Sequence, residues 1–220
     1  MLLLIHKRLL DNNEVARKDR PTPVWPGSIM GSGAAVFVLG PAGSGKTTFC
    51  QRLLQHCDAT SRPAHLFNLD PAADPALDDS ARKPSKDIRD LVTVDEVMEE
   101  LGLGPNGALI YALEVLVEHS REWLEADLDA GFEDEFLVVD CPGQIELFSH
   151  HGVLGRVIDI FQQHGYRPCA VYLLESHFMQ DAGKFFAGVL NASSAMLQLA
   201  VPHINVISKM DLVDLGGNEE

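Results

Sequence analysis

The stretch Ala35–Cys50, which reads AVFVLGPAGSGKTTFC, decides the fold class of this 220-residue chain. Its first part, AVFVLG, is a short apolar run typical of a buried strand, and its last part opens an amphipathic helix. Between them, GPAGSGKT (Gly40–Thr47) matches the pattern G-x-x-x-x-G-K-[ST] at every position. A glycine-rich loop between a strand and a helix can surround phosphate groups with backbone N–H groups. The stretch therefore predicts a phosphate-binding P-loop.

Each residue of this loop has an expected role. Lys46 would reach the β- and γ-phosphates, and the hydroxyl of Thr47 would ligate Mg²⁺. Thr48 would approach the α-phosphate. The alternative is an ordinary glycine-rich turn with an exposed lysine. Backbone N–H contacts to the phosphates are expected from the loop residues Gly40, Pro41, Ala42, Gly43, Ser44 and Gly45.

Apolar runs and amphipathic stretches alternate along the rest of the chain. The further predicted strands are His65–Asp70, Phe136–Cys141, Ala170–Glu175 and His203–Ser208. Most of these runs are continuously apolar, as expected when both faces of a sheet are covered. Helical stripes run through Lys46–Cys57, Leu109–Leu128, Val153–Phe161 and Phe185–Leu199. This order predicts a doubly wound, mostly parallel α/β sheet.

The composition limits the classes of partner. The formal net charge is −15, with 32 acidic and 17 basic residues. Nucleic acids and anionic membranes bind clusters of Lys and Arg, so we expect neither direct nucleic-acid binding nor membrane docking.

Four cysteines occur in the chain, and none forms a Cys-x-x-Cys pair. We therefore expect Cys50, Cys57, Cys141 and Cys169 to be small buried or half-buried apolar residues in a reducing compartment. The proline-rich start of the chain, residues 1–32, is predicted to be a disordered extension.

A second motif, FLVVDCPGQ, complements the P-loop. Asp140 ends its predicted strand and can hold Mg²⁺ directly or through water. Gly143 can offer its N–H to a γ-phosphate, and Gln144 can face the attacking water. Asp70 also follows a predicted strand, where it would either contact Mg²⁺ through water or cap the next turn.

The segment SKMD (Ser208–Asp211) follows the last predicted strand. The carboxylate of Asp211 can accept both N–H groups of guanine, a donor pair that adenine lacks. The stem of Lys209 would lie across the base. The usual GTPase pattern has Asn where Ser208 stands. The alternative is a solvated loop that carries a lysine and an aspartate.

Taken together, GPAGSGKT, NLDPAAD, DIRD, GLGPNGALIY, DCPGQIEL and SKMDL resemble the GPN-loop GTPase family. The resemblance covers about Ala34–Val213 and implies a P-loop NTPase of the SIMIBI-like GTPase type. It implies a GTPase domain over residues 33–215, followed by a tail at 216–220. The family continues beyond the position of Asp211, so we expect a truncated C-terminal part that leaves some of the sheet uncovered and the guanine pocket open.

The resemblance also implies a dimer, a homodimer or a heterodimer with another member of the family. The loop of Gly104, Pro105 and Asn106 would then enter the nucleotide site of the partner, where Asn106 faces the γ-phosphate. The alternative is that Asn106 caps the helix that follows. Asp90 would orient or deprotonate the attacking water, with Glu96 as a polar helper. The resemblance gives Arg89 no role.

The function implied is that of a Mg²⁺-dependent switch that binds GTP and GDP and hydrolyses GTP. By resemblance, such switches serve the assembly and nuclear import of RNA polymerase II, with polymerase subunits or assembly factors as partners. The expected location is the cytoplasm, with shuttling to the nucleus. The alternatives are a nucleotide-binding interaction module without turnover and a P-loop kinase, although no Arg-rich lid segment is found.

Overall fold

Six parallel strands form one sheet in the computed structural model, which describes residues 33–73, 82–125, 128, 135–144 and 152–212. The spatial order is β3-β2-β4-β1-β5-β6, and every neighbouring pair is parallel. The predicted doubly wound parallel sheet is therefore confirmed. The strands are β1 Ala34–Leu39, β2 Ala64–Asn68, β3 Lys86–Asp87, β4 Phe136–Asp140, β5 Arg167–Glu175 and β6 His203–Ser208.

Five of these strands fall where the apolar runs predict them; β6 matches at both ends, and no end of the other four differs by more than three residues. The two-residue strand β3 is not predicted, because two residues cannot show a periodic pattern. It pairs with the end of β2, with Lys86 beside Phe67 and Asp87 beside Asn68.

The main helices lie between the strands. They are α1 Lys46–Ala59, α2 Val94–Leu101, α3 Pro105–Glu118, α4 Val153–Gln163 and α5 Ala182–Leu199. Short 3₁₀ turns cover Ile88–Asp90, Ser176–Met179 and Met210–Leu212, and a π-helical turn covers Arg121–Glu125. None of the helices in the described ranges is long and apolar enough to cross a bilayer.

One helix prediction needs correction, and one helix was missed. The stripe Leu109–Leu128 is not one helix, since α3 ends at Glu118 before the π-helical turn. Helix α2 was not predicted, although Thr93 and Glu96 form a capping box at its start.

The loop predicted at Gly104–Asn106 is the first turn of α3. Gly104 is the N-cap and Pro105 is the first helical residue, while no side chain caps the helix end. The reason is that proline has a fixed φ suited to this position and lacks only an N–H that would stay unpaired there. The interpretation of Asn106 as the helix cap is therefore wrong.

The two faces of the sheet bury different clusters. In β1, Ala35, Phe37 and Leu39 pack into the larger cluster under α3, α4 and α5. Val36 and Val38 point the other way, into a smaller cluster under α1. This alternation follows from the pleat of a strand buried on both faces.

The four cysteines match their prediction. Cys50, Cys57 and Cys141 are buried, Cys169 is half-buried, and all four are free thiols. Burial raises the pKa of the Cys50 and Cys141 thiols well above the usual value, which keeps both protonated. The predictions for the extension at 1–32 and the tail at 216–220 lie outside the described residues.

Exposed large apolar side chains concentrate at one end of the described chain, between Met179 and Leu212. Helix α5 turns Phe186, Leu190 and Leu197 outward, with 66%, 68% and 77% of their surfaces exposed. Ile204 of the edge strand β6 is 57% exposed.

Phe161 on α4 anchors the larger cluster and gives a test of the fold. It is fully buried and meets Phe37 edge to face, with ring centroids 5.2 Å apart. Because Phe161→Ala leaves a cavity, we expect it to lower the free energy of unfolding by about 3–5 kcal/mol. Phe186→Ala removes the same side chain from an exposed site and should change it by less than about 0.5 kcal/mol. Chemical denaturation measures both, and equal losses would contradict this packing.

Candidate functional site

The predicted P-loop joins β1 to α1 in the conformation that phosphate binding needs. Gly40 has φ +140°, and a Cβ there would come within 2.3 Å of the carbonyl oxygen of Leu173. Gly45, at φ +90°, then leads into α1. Only glycine fits the first position without displacing β5. The start of α1 therefore points backbone N–H groups toward the end of the sheet.

Parallel pairing brings the second motif beside this loop. Asp140 pairs with Val38, two residues before the loop begins. The hydroxyl of Thr47 donates a hydrogen bond of 2.7 Å to Oδ2 of Asp140. Thr47 and Asp140, which the sequence predicts separately as Mg²⁺ ligands, are thus in direct contact.

The other oxygen of Asp140 defines the electrostatics of the site. Oδ1 is buried and has no hydrogen-bond partner within the described part of the chain. Burial raises the pKa of Asp140 to about 6, although the Thr47 hydrogen bond and the charge of Lys46 oppose the shift. A buried carboxylate oxygen without a donor is a ready ligand for a hard cation. The residues present therefore fit a Mg²⁺ ion.

Lys46 and Gly143 meet at the same place. Lys46 is only 8% exposed, and its Nζ donates to the carbonyl oxygen of Pro41 at 3.1 Å. A Cβ on Gly143 would lie 2.8 Å from both Lys46 Nζ and Ala42 Cα. The loop after β4 therefore packs directly against the P-loop, with Gly143 next to the lysine.

A cavity of about 430 Å³ opens at this junction. It brings together ten of the predicted site residues, namely Ala42, Gly43, Gly45, Lys46, Thr47, Thr48, Asp70, Asp140, Gly143 and Gln144. The predicted residues that do not line it are Gly40, Pro41, Ser44, Asp90, Glu96, Gly104, Pro105, Asn106, Ser208, Lys209 and Asp211.

Asp70 has one of its two predicted roles in the structure, the cap of a turn, while its contact with Mg²⁺ stays a prediction. Its Oδ1 accepts a hydrogen bond of 3.0 Å from the N–H of Ala72, so it caps the turn after β2. It also lines the cavity close to Asp140, and burial raises its pKa. The charge of Asp70 contributes to the raised pKa of Asp140. Two carboxylates and one hydroxyl thus converge at the cavity.

Of the predicted base-reading residues, Ser208 contacts the P-loop, and none of the three lines the cavity. The Ser208 hydroxyl donates to the carbonyl oxygen of Ser44 at 2.8 Å and so ties the end of β6 to the P-loop. Lys209 adopts φ +57°, and its Nζ pairs with Glu175 at 3.2 Å. Asp211 follows, exposed, in the 3₁₀ turn Met210–Leu212.

The residues given catalytic roles by resemblance lie at the surface. Asp90 is exposed at the end of the 3₁₀ turn Ile88–Asp90. Glu96 is exposed, and its carboxylate accepts hydrogen bonds from the N–H and the hydroxyl of Thr93 at 3.0 and 2.9 Å. Asn106 is exposed in the first turn of α3. The roles of these three residues stay predictions.

Sequence reasoning missed three polar residues beside the cavity. Arg89 lines the cavity and pairs with Asp87 of β3. Asn68, buried at the end of β2, donates to Asp87. The signal that could have found them is an Asn directly before Leu69-Asp70, together with the spacing Asp-x-Arg.

The raised pKa of Asp140 predicts how the free energy of unfolding depends on pH in metal-free buffer. Its pKa is 3.8 in an ordinary environment and about 6 in the fold, so the native state holds the proton more tightly. The charge therefore destabilises the fold increasingly as the pH rises from about 4 to about 6, and fully above that. Asp140→Asn, which can still accept from Thr47, should raise the free energy of unfolding at pH 7.5 by about 2 kcal/mol.

Denaturation in the presence of a chelator, compared at pH 7.5 and pH 4.5, measures this effect. The advantage of Asp140→Asn over the wild type should shrink at the lower pH. An unchanged or lower stability at pH 7.5 would show that the buried charge carries no penalty.

Comparisons with known proteins agree with this geometry. A family model described as a conserved hypothetical ATP binding protein matches residues 38–219. A GPN-loop GTPase 3 from Mycosarcoma maydis is 51% identical over 83% of this chain and 63% of its own length. The protein of the same name from Kluyveromyces lactis is 47% identical over 86% of this chain and 68% of its own length. The chain spans a little under two thirds of the first of these relatives.

Among solved structures, a GTPase from Pyrococcus abyssi in its apo form superposes with a TM-score of 0.66. It is 28% identical, and the match covers 82% of this chain and 68% of that chain. The sheet, the P-loop and the level of identity to named relatives lead to one assignment. The chain belongs to the GPN-loop GTPase family.

Proposed function

We propose that the chain binds GTP with Mg²⁺ and hydrolyses it to GDP and phosphate. The observation that carries this proposal is the unpartnered Oδ1 of Asp140, buried beside Thr47 and Lys46 at the phosphate cavity. A buried carboxylate beside a P-loop can ligate the metal ion that binds together with the phosphates of a nucleotide.

The charge of each site residue determines whether it would bind the phosphates or the metal ion. The P-loop N–H groups and Lys46 hold the phosphates, while Asp140, Thr47 and Asp70 would hold Mg²⁺, directly or through water. When bound, the ion neutralises charge on the β- and γ-phosphates. Gly143 lines the cavity close to Lys46, and its N–H would donate to the γ-phosphate. Gln144 lines the cavity and would orient the attacking water.

The identity of the base is the finer part of the proposal. The matching family is described as ATP binding, whereas the relatives are named GTPases. We favour guanine because Asp211 offers two acceptor oxygens, a pattern that matches the N–H pair of guanine. The contact of Ser208 with the P-loop supports this interpretation, because it holds the end of β6 beside the phosphate site.

The proposed active form is a dimer in which Asn106 acts on the partner's nucleotide. Asn106 is exposed at the start of α3 and does not line the cavity of its own chain, so its side chain is accessible to a partner subunit. No cap bond of Asn106 competes with a role outside its own helix. Asp90 would position the attacking water from the other side, with Glu96 near it.

The cellular role is proposed from the family resemblance alone. It is the assembly and nuclear import of RNA polymerase II, exercised from the cytoplasm with shuttling to the nucleus. Partners would be polymerase subunits, assembly factors or other GPN-loop GTPases. Co-purification of tagged protein with polymerase subunits, dependent on nucleotide state, tests this role.

A second candidate is an interaction module that binds nucleotide without turnover. The apolar surface of α5 and β6 favours it, since Phe186, Leu190 and Leu197 offer a broad contact area to a protein partner. Calorimetry with GTP, GDP and ATP in Mg²⁺ buffer, combined with phosphate release, separates the candidates. Tight binding with no release would favour the second.

Asp211→Asn tests the base assignment. The change replaces one acceptor oxygen by a donor, which suits xanthine better than guanine. We expect GTP affinity to fall by at least tenfold and xanthosine triphosphate affinity to rise. Calorimetry with both nucleotides measures this, and ATP is the control for general damage. Unchanged GTP selectivity would remove Asp211 from the base site.

Mixed dimers test the trans role of Asn106. Asn106→Asp places a negative charge beside a negative ligand, so turnover should fall by about tenfold or more. The fold should keep its stability because Gly104, not Asn106, caps α3. Asp90→Ala should lower turnover similarly and leave GTP binding nearly intact.

Combining these two inactive variants should restore one working site in each mixed dimer. In the mixed dimer, the Asp90→Ala subunit supplies an intact Asn106 to the site of the Asn106→Asp subunit, and that site keeps its own Asp90. Phosphate release from co-expressed, differently tagged subunits measures the recovery. No recovery in verified mixed dimers would contradict action across the interface.

A further inference from the structure

Arg89 presents a fixed positive charge to the phosphate cavity. It lines the same cavity as Lys46, Asp70 and Gly143, and its side chain is only 18% exposed. One nitrogen of its guanidinium, Nη1, donates to the carbonyl oxygen of Ala73 at 3.3 Å, on the turn that follows Asp70. The guanidinium thus lies next to the proposed metal-side carboxylate.

The orientation of Arg89 is set by the carboxylate of Asp87. Arg89 Nε donates to Asp87 Oδ1 and Oδ2 at 2.9 and 3.0 Å, and Nη2 donates to Oδ2 at 2.5 Å. The backbone N–H of Arg89 also donates to Oδ1 at 2.9 Å. Burial alone would raise the pKa of Asp87, but the hydrogen bonds from Arg89 and Asn68 outweigh it and leave that pKa lowered. The pair is therefore charged, and the planar fork is held in one direction.

Asn68 connects this pair to the metal side of the cavity. Its Nδ2 donates to Asp87 Oδ1 at 3.0 Å and to the carbonyl oxygen of Asp70 at 3.2 Å. Its Oδ1 accepts from the N–H of Asp70 at 3.0 Å. One buried amide therefore fixes the position of Asp70 relative to Asp87, and through Asp87 the position of Arg89.

We propose that Arg89 contacts the γ-phosphate of the bound nucleoside triphosphate in its own subunit, with Asp87 and Asn68 as positioning residues. The inference rests on the proposed function and names a further residue of that site. In hydrolysis, the bond from the γ-phosphorus to the β–γ bridging oxygen breaks as a water oxygen bonds to the γ-phosphorus. Negative charge moves to the leaving diphosphate, and the water proton passes to the released phosphate.

A guanidinium suits this place because it cannot lose its proton and its fork is already oriented. Charge that develops during the reaction is stabilised most by a group that need not reorganise. Lysine carries the same charge but cannot keep both the Asp87 fork and a phosphate contact. The structure therefore assigns a separate task to each cation, with Lys46 in the P-loop and Arg89 beside the turn that Asp70 begins.

Three variants and one control test the proposal. Arg89→Ala removes the charge, and Arg89→Lys keeps the charge without the fork. Asp87→Asn can still accept from Asn68 but cannot pair with both nitrogens of Arg89. Arg52→Ala is the matched control, because Arg52 is exposed on α1 and bonds Gln55 at 3.0 Å.

The measurements are calorimetry with GDP and a non-hydrolysable GTP analogue, kcat and KM for GTP, and the melting temperature. We expect Arg89→Ala to lower the ratio of analogue affinity to GDP affinity at least fivefold and kcat at least tenfold. Arg89→Lys should lose nearly as much kcat with an unchanged melting temperature. Asp87→Asn should lower kcat more than it raises KM, and Arg52→Ala should match the wild type. Millimolar guanidinium should restore part of the kcat of Arg89→Ala, which a purely structural role would not allow.

The outcomes separate this inference from the proposed function. If the wild type hydrolyses GTP and Arg89→Lys matches it in both kcat and affinity ratio, the inference is overturned and the proposed function stands. Binding without turnover, with the affinity ratio still lowered in Arg89→Ala, would overturn hydrolysis and support the phosphate contact. No binding of any nucleotide by the wild type would overturn both.

Discussion

The pairing of β1 with β4 places the carboxylate of Asp140 under the P-loop, and the arrangement of the site depends on that contact. The register sets Asp140 opposite Val38, so its side chain reaches Thr47 as α1 begins. One oxygen is satisfied by Thr47, and the other is buried with no donor in the described residues. A packed apolar core would not tolerate this charge for stability alone. The fold therefore accepts a local penalty that a bound cation can remove.

The sequence predicts the parts of the molecule that local patterns encode. The P-loop lies between a strand and a helix because its glycines allow the turn that GPAGSGKT describes. The apolar runs predict the five longer strands, since a strand buried on both faces has no polar positions to interrupt it. The sequence also predicts that Asp140 and Gly143 lie at the site, because the carboxyl ends of parallel strands meet at one edge of the sheet. Ten predicted residues accordingly line one cavity.

Features that depend on tertiary contacts were missed. Strand β3 is two residues long and is defined by its pairing with β2, so no periodic pattern in the sequence predicts it. The chain Asn68–Asp87–Arg89 joins residues up to 21 positions apart through side-chain hydrogen bonds, which a motif does not reveal. Asn often caps helices, which favours Asn106 as the cap, whereas Pro105 begins α3 and places the N-cap at Gly104, two residues earlier.

The two halves of the proposed nucleotide site are held by different parts of the sheet. The phosphate half sits on β1, β2 and β4, which are three of the four internal strands of the described sheet. The base half sits at the end of β6, which pairs with β5 alone and exposes Ile204 and Ile207. The hydrogen bond from Ser208 to Ser44 is the described link between them. Because an edge strand opens more readily than a central one, base selectivity should respond to contacts on β6 and α5 more than phosphate binding does. A partner that covers this apolar surface would therefore act first on the choice of base and only then on the phosphates.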